Sequence, residues 1–395
     1  MQMLFIFEEI VNVFKKSVAF SKKNWYINDV QMVRKHKPVP GVYVCTYKEE
    51  NMTVSERVEL VKFDEPKYLE DGKAVVGQRK EAEDLAQVLH DQGYSNIFLL
   101  GIGGTEFEFG HYEYLMSRMS DVDVYAVNAA DVNTVRPKKL NKDSLVITAS
   151  SSGDTVEIVQ AAKWMKEEGI RIVAFTDKKG KLGQMLDYVV HAPVVTGYCE
   201  HSYVLQAFFI YKLLNLRGDF DAYDRFADQL SEYIFEDLLA IKKKFEPIGL
   251  KMASELYDAE YTIFTGSGAL WGETLLFSMC MLEEMQWIRC RPVNSAQFFH
   301  GTLELIQDKV PVFIVKGEDE FRAQDNRVEE FCKKINCQYA VFDASEYAVR
   351  LDNEFRKFVV PMITTACLTG RLSRHYEVYT KHNLQYRRYY RQFEY

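Results

Sequence analysis

The sequence predicts an α/β protein made of two tandem units, each a parallel sheet flanked by helices. Short β-branched runs alternate with stretches of helical periodicity, which is the pattern of βαβ units. Two of the predicted strands end in glycine-rich turns, and these turns lie about 165 residues apart, which indicates a duplicated unit. A chain of 395 residues is also long enough for more than one core.

Composition narrows the class of protein and its partners. The content of 47% hydrophobic and 27% charged residues is typical of a globular protein, and the net charge of −8 argues against nucleic acid or an anionic membrane as partner. No apolar run approaches the ~20 residues of a membrane span. The seven cysteines include no Cys-x-x-Cys pair, so we expect reduced thiols and a cytoplasmic protein.

The first 51 residues differ from the rest. Their start is apolar but contains Glu8 and Glu9 and lacks a small-residue cleavage site, so it is a poor signal peptide. The basic residues at 34–37 are interpreted as a solvated face. We therefore expect an N-terminal extension over 1–51, a first unit over 52–225 and a second over 226–395.

Each predicted unit has its own series of elements. In the first, helices are expected at 77–90, 155–168 and 202–216, and strands at 97–100, 122–127, 145–149, 172–175 and 188–191. In the second, helices are expected at 226–244, 270–284 and 327–334, and strands at 261–264, 310–315 and 339–342.

The segment 150–155 is the strongest functional signal. A buried strand ends there in Ser150-Ser151-Ser152-Gly153-Asp154-Thr155, and a helix follows. Hydroxyl groups and free backbone N–H groups at a helix N-terminus suit a phosphate. A single serine N-cap is the simpler interpretation, but five capping residues around one glycine are more than a cap needs. No Gly-Lys-Ser/Thr follows, so the loop is not a Walker motif.

A second glycine-rich turn follows the first predicted strand. Its sequence, Gly101-Ile102-Gly103-Gly104-Thr105, allows close backbone approach to a ligand, and Thr105 offers a hydroxyl at the next helix. A dinucleotide-binding loop is the competing interpretation. It is weak, because the third glycine is missing and the next strand ends in Asn128 rather than an acid.

Glu284 and His300 form a candidate acid–base pair. They lie sixteen positions apart on different elements, and side chains of these two types suit paired proton transfers near neutral pH. On the residues alone, a solvated helix-end carboxylate and a packed loop histidine are the favoured interpretations.

These motifs together resemble the sugar isomerase (SIS) domain. The loop 150–155 is similar to its Ser-x-Ser-Gly-(Glu/Asp)-Thr loop, and Gly103-Gly104-Thr105 looks like its first phosphate-side turn. The spacing of Glu284 and His300 resembles that of the catalytic pair in double-SIS enzymes. The segments 282–287, 299–304 and 382–395 resemble the fructoselysine-6-phosphate deglycases in particular, and the likeness covers about residues 75 to 395.

The resemblance implies two SIS domains of flavodoxin-like three-layer architecture and a shared active site. It implies that Ser150, Ser152 and Thr155, with Thr105, Gly104 and Ser151, hold a sugar 6-phosphate. It also implies that Glu284 is the base and His300 the acid. In this family such sites form at a homodimer interface, with the histidine supplied by the neighbouring subunit. No metal or organic cofactor is implied.

The chain departs from the family in ways that bear on function. Gly103-Gly104-Thr105-Glu106 replaces the usual Cys-Gly-Ser/Thr. The tail lacks the lysine of the amidotransferase isomerases, and we find no glutaminase segment ahead of the predicted units, so glucosamine-6-phosphate synthesis is disfavoured.

The resemblance therefore implies a deglycase that cleaves an amino acid–hexose 6-phosphate conjugate. An aldose–ketose isomerase or an aminosugar-phosphate deaminase on the same scaffold is the main alternative. A sugar-phosphate sensor is disfavoured, because the chain shows no clear DNA-binding segment and a sensor does not need Glu284 with His300.

Overall fold

The computed structural model describes residues 58–192 and 198–393. The predictions for the extension over 1–51, and for the last two residues of the tail motif, lie outside this part of the chain. Among the helices described, none has the length and apolar character needed to cross a membrane. The six cysteines in these ranges are free thiols.

The first sheet has five parallel strands in the order β2-β1-β3-β4-β5. The strands are β1 (Asn96–Gly101), β2 (Asp123–Asn128), β3 (Ser144–Ser150), β4 (Arg171–Thr176) and β5 (Tyr188–His191). The helices of this half are α1 (Glu65–Val76), α2 (Arg79–Asp91), α3 (Gly104–Met119), α4 (Ala129–Thr134), α5 (Val156–Glu167), α6 (Lys181–Met185) and α7 (Cys199–Leu216). Because β1 pairs with both β2 and β3, the strand order reverses beside it, and the carboxyl ends of β1 and β3 border a crevice.

The second sheet repeats this order with one strand fewer, as β7-β6-β8-β9. Its strands are β6 (Thr262–Gly266), β7 (Cys290–Asn294), β8 (Val312–Lys316) and β9 (Tyr339–Asp343). The helices are α8 (Tyr223–Leu256), α9 (Trp271–Leu275), a π-helix (Leu276–Met285), α10 (Ser295–Phe298), α11 (Arg322–Ile335), α12 (Arg356–Cys367), a short π-helix (Leu368–Leu372) and α13 (Ser373–Thr380). The predicted α/β architecture with two parallel sheets is therefore confirmed.

Both faces of each sheet are covered, as expected for parallel strands. In β3, Leu145 and Ile147 belong to one hydrophobic cluster, and Val146, which points to the opposite face, belongs to another. In β8, Phe313 and Ile314 divide in the same way. The cluster that contains Leu145 also contains Phe313, so one continuous core joins the two sheets.

The predicted strands agree with the structure to within a few residues, but three predictions for the second half are wrong. The helix expected at 226–244 continues to Leu256 through Pro247, because buried residues beyond the proline pack onto the core. The loop expected after Glu284 contains β7, an edge strand that tolerates Pro292. The helix expected at 270–284 is a short α-helix followed by a π-helix. The boundary between 225 and 226 stays a prediction.

Candidate active site

The serine loop at the end of β3 leaves the next helix without a side-chain cap. Ser150 is buried, and its hydroxyl lies 3.0 Å from the hydroxyl of Thr155. Thr155 is the N-cap residue of α5, yet its side chain makes no capping hydrogen bond. The simple serine-cap interpretation is therefore wrong, since the cap is a threonine that contacts Ser150 instead. The positive end of α5 stays available to an anion.

Backbone contacts hold the serine loop in one shape. Gly153 has φ +68°, and a Cβ there would lie 2.8 Å from the Thr176 hydroxyl, so the position requires glycine. The Thr176 hydroxyl donates to the carbonyl of Ser150 at 2.7 Å. The Leu182 N–H donates to the carbonyl of Gly153 at 3.0 Å. The loop is thus tied to the segment that follows β4.

The turn after β1 presents a second helix N-terminus beside the first. Gly103 is the N-cap of α3, has φ +57° and offers no side chain to the helix. Gly101 lets the backbone pass close by, because a Cβ there would lie 2.4 Å from the Glu106 nitrogen. Thr105 follows in the first turn of α3. The carboxyl ends of β1 and β3 therefore direct two helix starts toward the same crevice.

A cavity of about 120 Å³ occupies this crevice. Three of the predicted phosphate ligands line it, namely Thr105, Ser150 and Ser151. Thr155 does not line the cavity but contacts Ser150, which does. Ser152 does not line it either, and its hydroxyl accepts a hydrogen bond from the Asp154 N–H at 3.2 Å. The structure thus brings three of the six predicted phosphate ligands to one cavity, Gly104 precedes Thr105 at the start of α3, and the role of all six stays a prediction.

Glu108 is a site residue that the sequence analysis missed. It lines the same cavity, is 8% exposed and accepts hydrogen bonds from Ser202 (3.3 Å) and Gln206 (3.4 Å). Burial raises the pKa of its carboxyl group to about 7. The sequence could have indicated Glu108 through its spacing. It lies three residues after Thr105, so the two side chains lie on the same face of α3.

Glu284 lies at the end of the π-helix and faces a separate cleft of about 690 Å³. Its carboxylate forms an ion pair with Arg387 of the C-terminal tail at 2.9 Å. Cys280, four residues earlier, lies beside Gly104, where an added Cβ would be 3.6 Å from its sulfur. Nearby Glu284 and Glu108 both help to raise the pKa of that thiol, after its burial. The π-helix therefore connects Glu284 with the N-terminus of α3.

His300 is not part of either cavity within the single chain. It is exposed and follows the short helix α10 (Ser295–Phe298). Its backbone N–H donates to the carbonyl of Gln297 at 2.9 Å. The structure thus brings Glu284 near the phosphate-side turn and leaves His300 on the surface. No three His, Cys, Asp or Glu side chains in residues 58–192 and 198–393 are grouped so as to hold a metal ion.

Fold and site together define an α/β protein with a candidate anion site where the strand order of its first sheet reverses. Residues 89–216 match the family model described as "SIS domain". This match contains both the turn after β1 and the serine loop.

Comparison with known proteins gives relatives along most of the chain. It is 28% identical over 336 residues to the fructosamine deglycase of Bacillus subtilis (strain 168), which covers 82% of this chain and 99% of that protein. It is 24% identical over 295 residues to the fructoselysine 6-phosphate deglycase of Escherichia coli (strain K12), and this alignment covers 70% of this chain and 80% of that protein.

A solved Bacillus subtilis structure, assigned to the phosphosugar isomerases, has the same fold. It superimposes with a TM-score of 0.72 at 24% identity and covers 80% of this chain and 100% of its own. The predicted resemblance to SIS-domain deglycases is confirmed.

Proposed function

We propose that this protein is a deglycase that hydrolyses the C–N bond between an amino acid and a hexose 6-phosphate. The observation that carries the proposal is the hydroxyl-lined cavity at the first sheet, with two helix N-termini directed at it. The π-helix that carries Glu284 also contacts the start of α3 through Cys280. The names of the two deglycase relatives support the choice of reaction.

The phosphate would act as the anchor of the reaction. Hydroxyl donors at Ser150, Ser151 and Thr105, together with the two helix dipoles, would bind the dianion far from the reacting carbon. Binding energy gained there orients the open-chain sugar at the acid–base groups. Because the net charge is −8, the anion site must be built locally, and this crevice supplies the donors.

Glu284 would be the base. It would remove the proton from the carbon that joins the carbonyl to the nitrogen, giving an enaminol, and the acid His300 would assist ring opening. Return of a proton to the former carbonyl carbon gives an imine, and addition of water releases hexose 6-phosphate and free amino acid. Glu284 can return the proton that it removed, and the water supplies its oxygen to the sugar carbonyl and both of its hydrogens to the released amine.

A homodimer is part of the proposal, with His300 of the partner subunit facing the sugar. Its support is the position of His300, which is exposed and lines neither cavity within one chain. A histidine used across a subunit interface is expected on the surface of the isolated chain. The proposed setting is the cytoplasm, as expected from the cysteine pattern.

The direct test is turnover of a small panel of conjugates. Purified protein is incubated with fructoselysine, glucoselysine and fructose-asparagine 6-phosphates, and each hexose phosphate is measured by a coupled assay. Release from at least one conjugate is expected. Interconversion of glucose and fructose 6-phosphates, or loss of ammonia from glucosamine 6-phosphate, without conjugate cleavage would instead identify the isomerase or deaminase alternative.

A further inference from the structure

The cleft beside Glu284 is lined by three arginines and two glutamates. Its walls come from the end of the π-helix, from β7 and from the C-terminal tail. The charged and aromatic residues in them include Trp287, Arg289, Arg387, Arg388, Tyr389 and Tyr390. At about 690 Å³ the cleft is far larger than the phosphate-side cavity of about 120 Å³.

The C-terminal tail is fastened to this cleft at several points. The Gln286 side-chain amide donates to the carbonyl of His382 at 2.7 Å and accepts from the Thr380 hydroxyl at 2.6 Å. The ring of His382 lies 4.3 Å from that of Trp287. Trp287 itself has φ +57°, which is unusual for a bulky residue and is found mainly where surrounding contacts impose it. The tail is therefore a fixed wall of the cleft.

The positive charges of the cleft differ in their partners. Arg387 is paired with Glu284. The Arg388 guanidinium lies 4.3 Å from the centre of the Trp287 ring and, within the described residues, has no ion-pair partner. Arg289 is likewise exposed and unpaired there. The three arginines of the cleft outnumber its two acids, Glu283 and Glu284, so the lining has a net positive charge that favours an anion.

The π-helix links the cleft to the phosphate-side turn. Cys280 lies beside Gly104 at the start of α3, and Glu284, which lines the cleft, follows four residues later on the same π-helix. A molecule with its phosphate at the serine loop and its reacting carbon at Glu284 would extend its other end into the cleft.

We propose that this cleft binds the amino-acid part of the substrate and that Arg388 binds its carboxylate. The inference rests on the proposed function and adds a specificity-determining residue, which would distinguish conjugates of amino acids from conjugates of amines that lack a carboxylate. Guanidinium groups bind carboxylates through two parallel hydrogen bonds, and a guanidinium already stacked on an indole needs little further ordering. Trp287 and the two tyrosines supply apolar faces for the amino-acid side chain.

The test compares two substrates in one variant. Wild type and Arg388→Gln are assayed with an amino acid–hexose 6-phosphate conjugate and with the matching conjugate that lacks only the carboxylate. Arg388→Gln should raise KM about 10- to 100-fold for the first substrate and leave KM for the second unchanged. Arg388→Lys should recover part of the loss, because it keeps the charge but not the paired hydrogen bonds.

Arg391→Gln is the matched control, since Arg391 lies three residues further along the tail and does not line the cleft. It should leave both KM values unchanged. Equal losses on both substrates with Arg388→Gln, or no loss on either, would overturn the carboxylate site while leaving the deglycase proposal intact. If wild type cleaves neither conjugate, the proposed function fails and the carboxylate site fails with it.

Discussion

Each sheet reverses its strand order beside a glycine turn, but the loops that lie next to these two turns differ in the chemical groups that they offer a ligand. In the first sheet, the serine loop after β3 brings hydroxyl groups to a cavity, and Thr155 leaves α5 without a side-chain cap. In the second sheet, the corresponding position after β8 is filled by the carboxylate of Asp319.

Asp319 acts as an internal anion at the second turn. Its two carboxylate oxygens accept hydrogen bonds from the Ala269 N–H at 2.8 Å and the Phe321 N–H at 2.9 Å. Gly268 has φ +53°, and a Cβ there would lie 2.5 Å from the carboxylate, so the glycine makes room for Asp319 rather than for a ligand. A site already satisfied by a carboxylate has no donors left for a phosphate.

The comparison indicates a division of tasks between two similar halves. Under the proposed function, the first half keeps an open anion site. The second half closes its own and would instead supply Glu284 and His300, on the segments that follow β6 and β7. Duplication would thus provide one half for binding and one for proton transfer, and the following predictions test that assignment.

The largest effect is expected from Glu284→Gln and His300→Asn. Each should lower turnover about 10²- to 10⁴-fold, because each removes one proton-transfer group, while binding of hexose 6-phosphate changes little. Steady-state kinetics and calorimetric titration measure the two quantities. Glu330→Gln, on the exposed surface of α11, is the control. Wild-type turnover in either site variant would refute the role given to that residue.

Placing a carboxylate in the serine loop, as Asp319 is placed after β8, should remove phosphate binding. Ser151→Asp places a carboxylate at the open site, and repulsion of the phosphate dianion should weaken hexose 6-phosphate binding about 100-fold or more. Ser151→Ala removes only a hydroxyl and should cost about tenfold or less. If the aspartate variant binds as tightly as wild type in a calorimetric titration, the phosphate binds elsewhere.

Glu108 should make stability depend on pH. Its pKa is raised by burial from 4.5 to about 7, so the folded state retains the proton to a higher pH than the unfolded state does. The free energy of unfolding should therefore fall as pH rises from about 4.5 to about 7, by at most about 3 kcal/mol, and then level off.

Glu108→Gln should remove this part of the slope. Glu273, whose pKa burial raises to about 8, contributes a slope of the same sign; this slope is reduced but not removed in the variant, because the Glu108 charge also raises the Glu273 pKa. Urea titrations of both proteins at several pH values give the difference. Parallel curves for wild type and Glu108→Gln would show that the Glu108 carboxyl group is not perturbed.

A smaller loss is expected from Asp319→Ala in the second turn. Two backbone N–H groups would lose their acceptor, which should lower the free energy of unfolding by about 2 kcal/mol in urea. Turnover per folded molecule should not change, because this turn binds no substrate. Asp319→Asn keeps one acceptor oxygen and should lose less. A fall in turnover with unchanged stability would contradict the comparison.

Sequence patterns were sufficient for the features that depend on local order. The buried β-branched run at 145–149 predicts β3, and the serine loop that ends it predicts where the cavity lies. Gly101 likewise indicates a close backbone approach that the structure contains, whereas Gly103 is needed for its φ of +57°. In each case the residues that form the feature are neighbours in the chain.

Features that depend on distant contacts were not predictable in this way. Asp319 lies fifty residues from Ala269, so nothing local shows that it fills the second turn. The ion pair between Glu284 and Arg387 joins residues 103 positions apart. The π-helix that contains Glu284 is apolar on most sides, so its residues do not distinguish it from a buried α-helix. Glu108 becomes a candidate only when the lining of the cavity is known.

The most direct test of the account is a crystal structure of the protein with a bound hexose 6-phosphate. The account predicts the phosphoryl group between Thr105 and the serine loop, with its oxygens within hydrogen-bond distance of Ser150 or Ser151. A phosphoryl group at Gly268 of the second turn, or against Arg388 in the cleft, would contradict it.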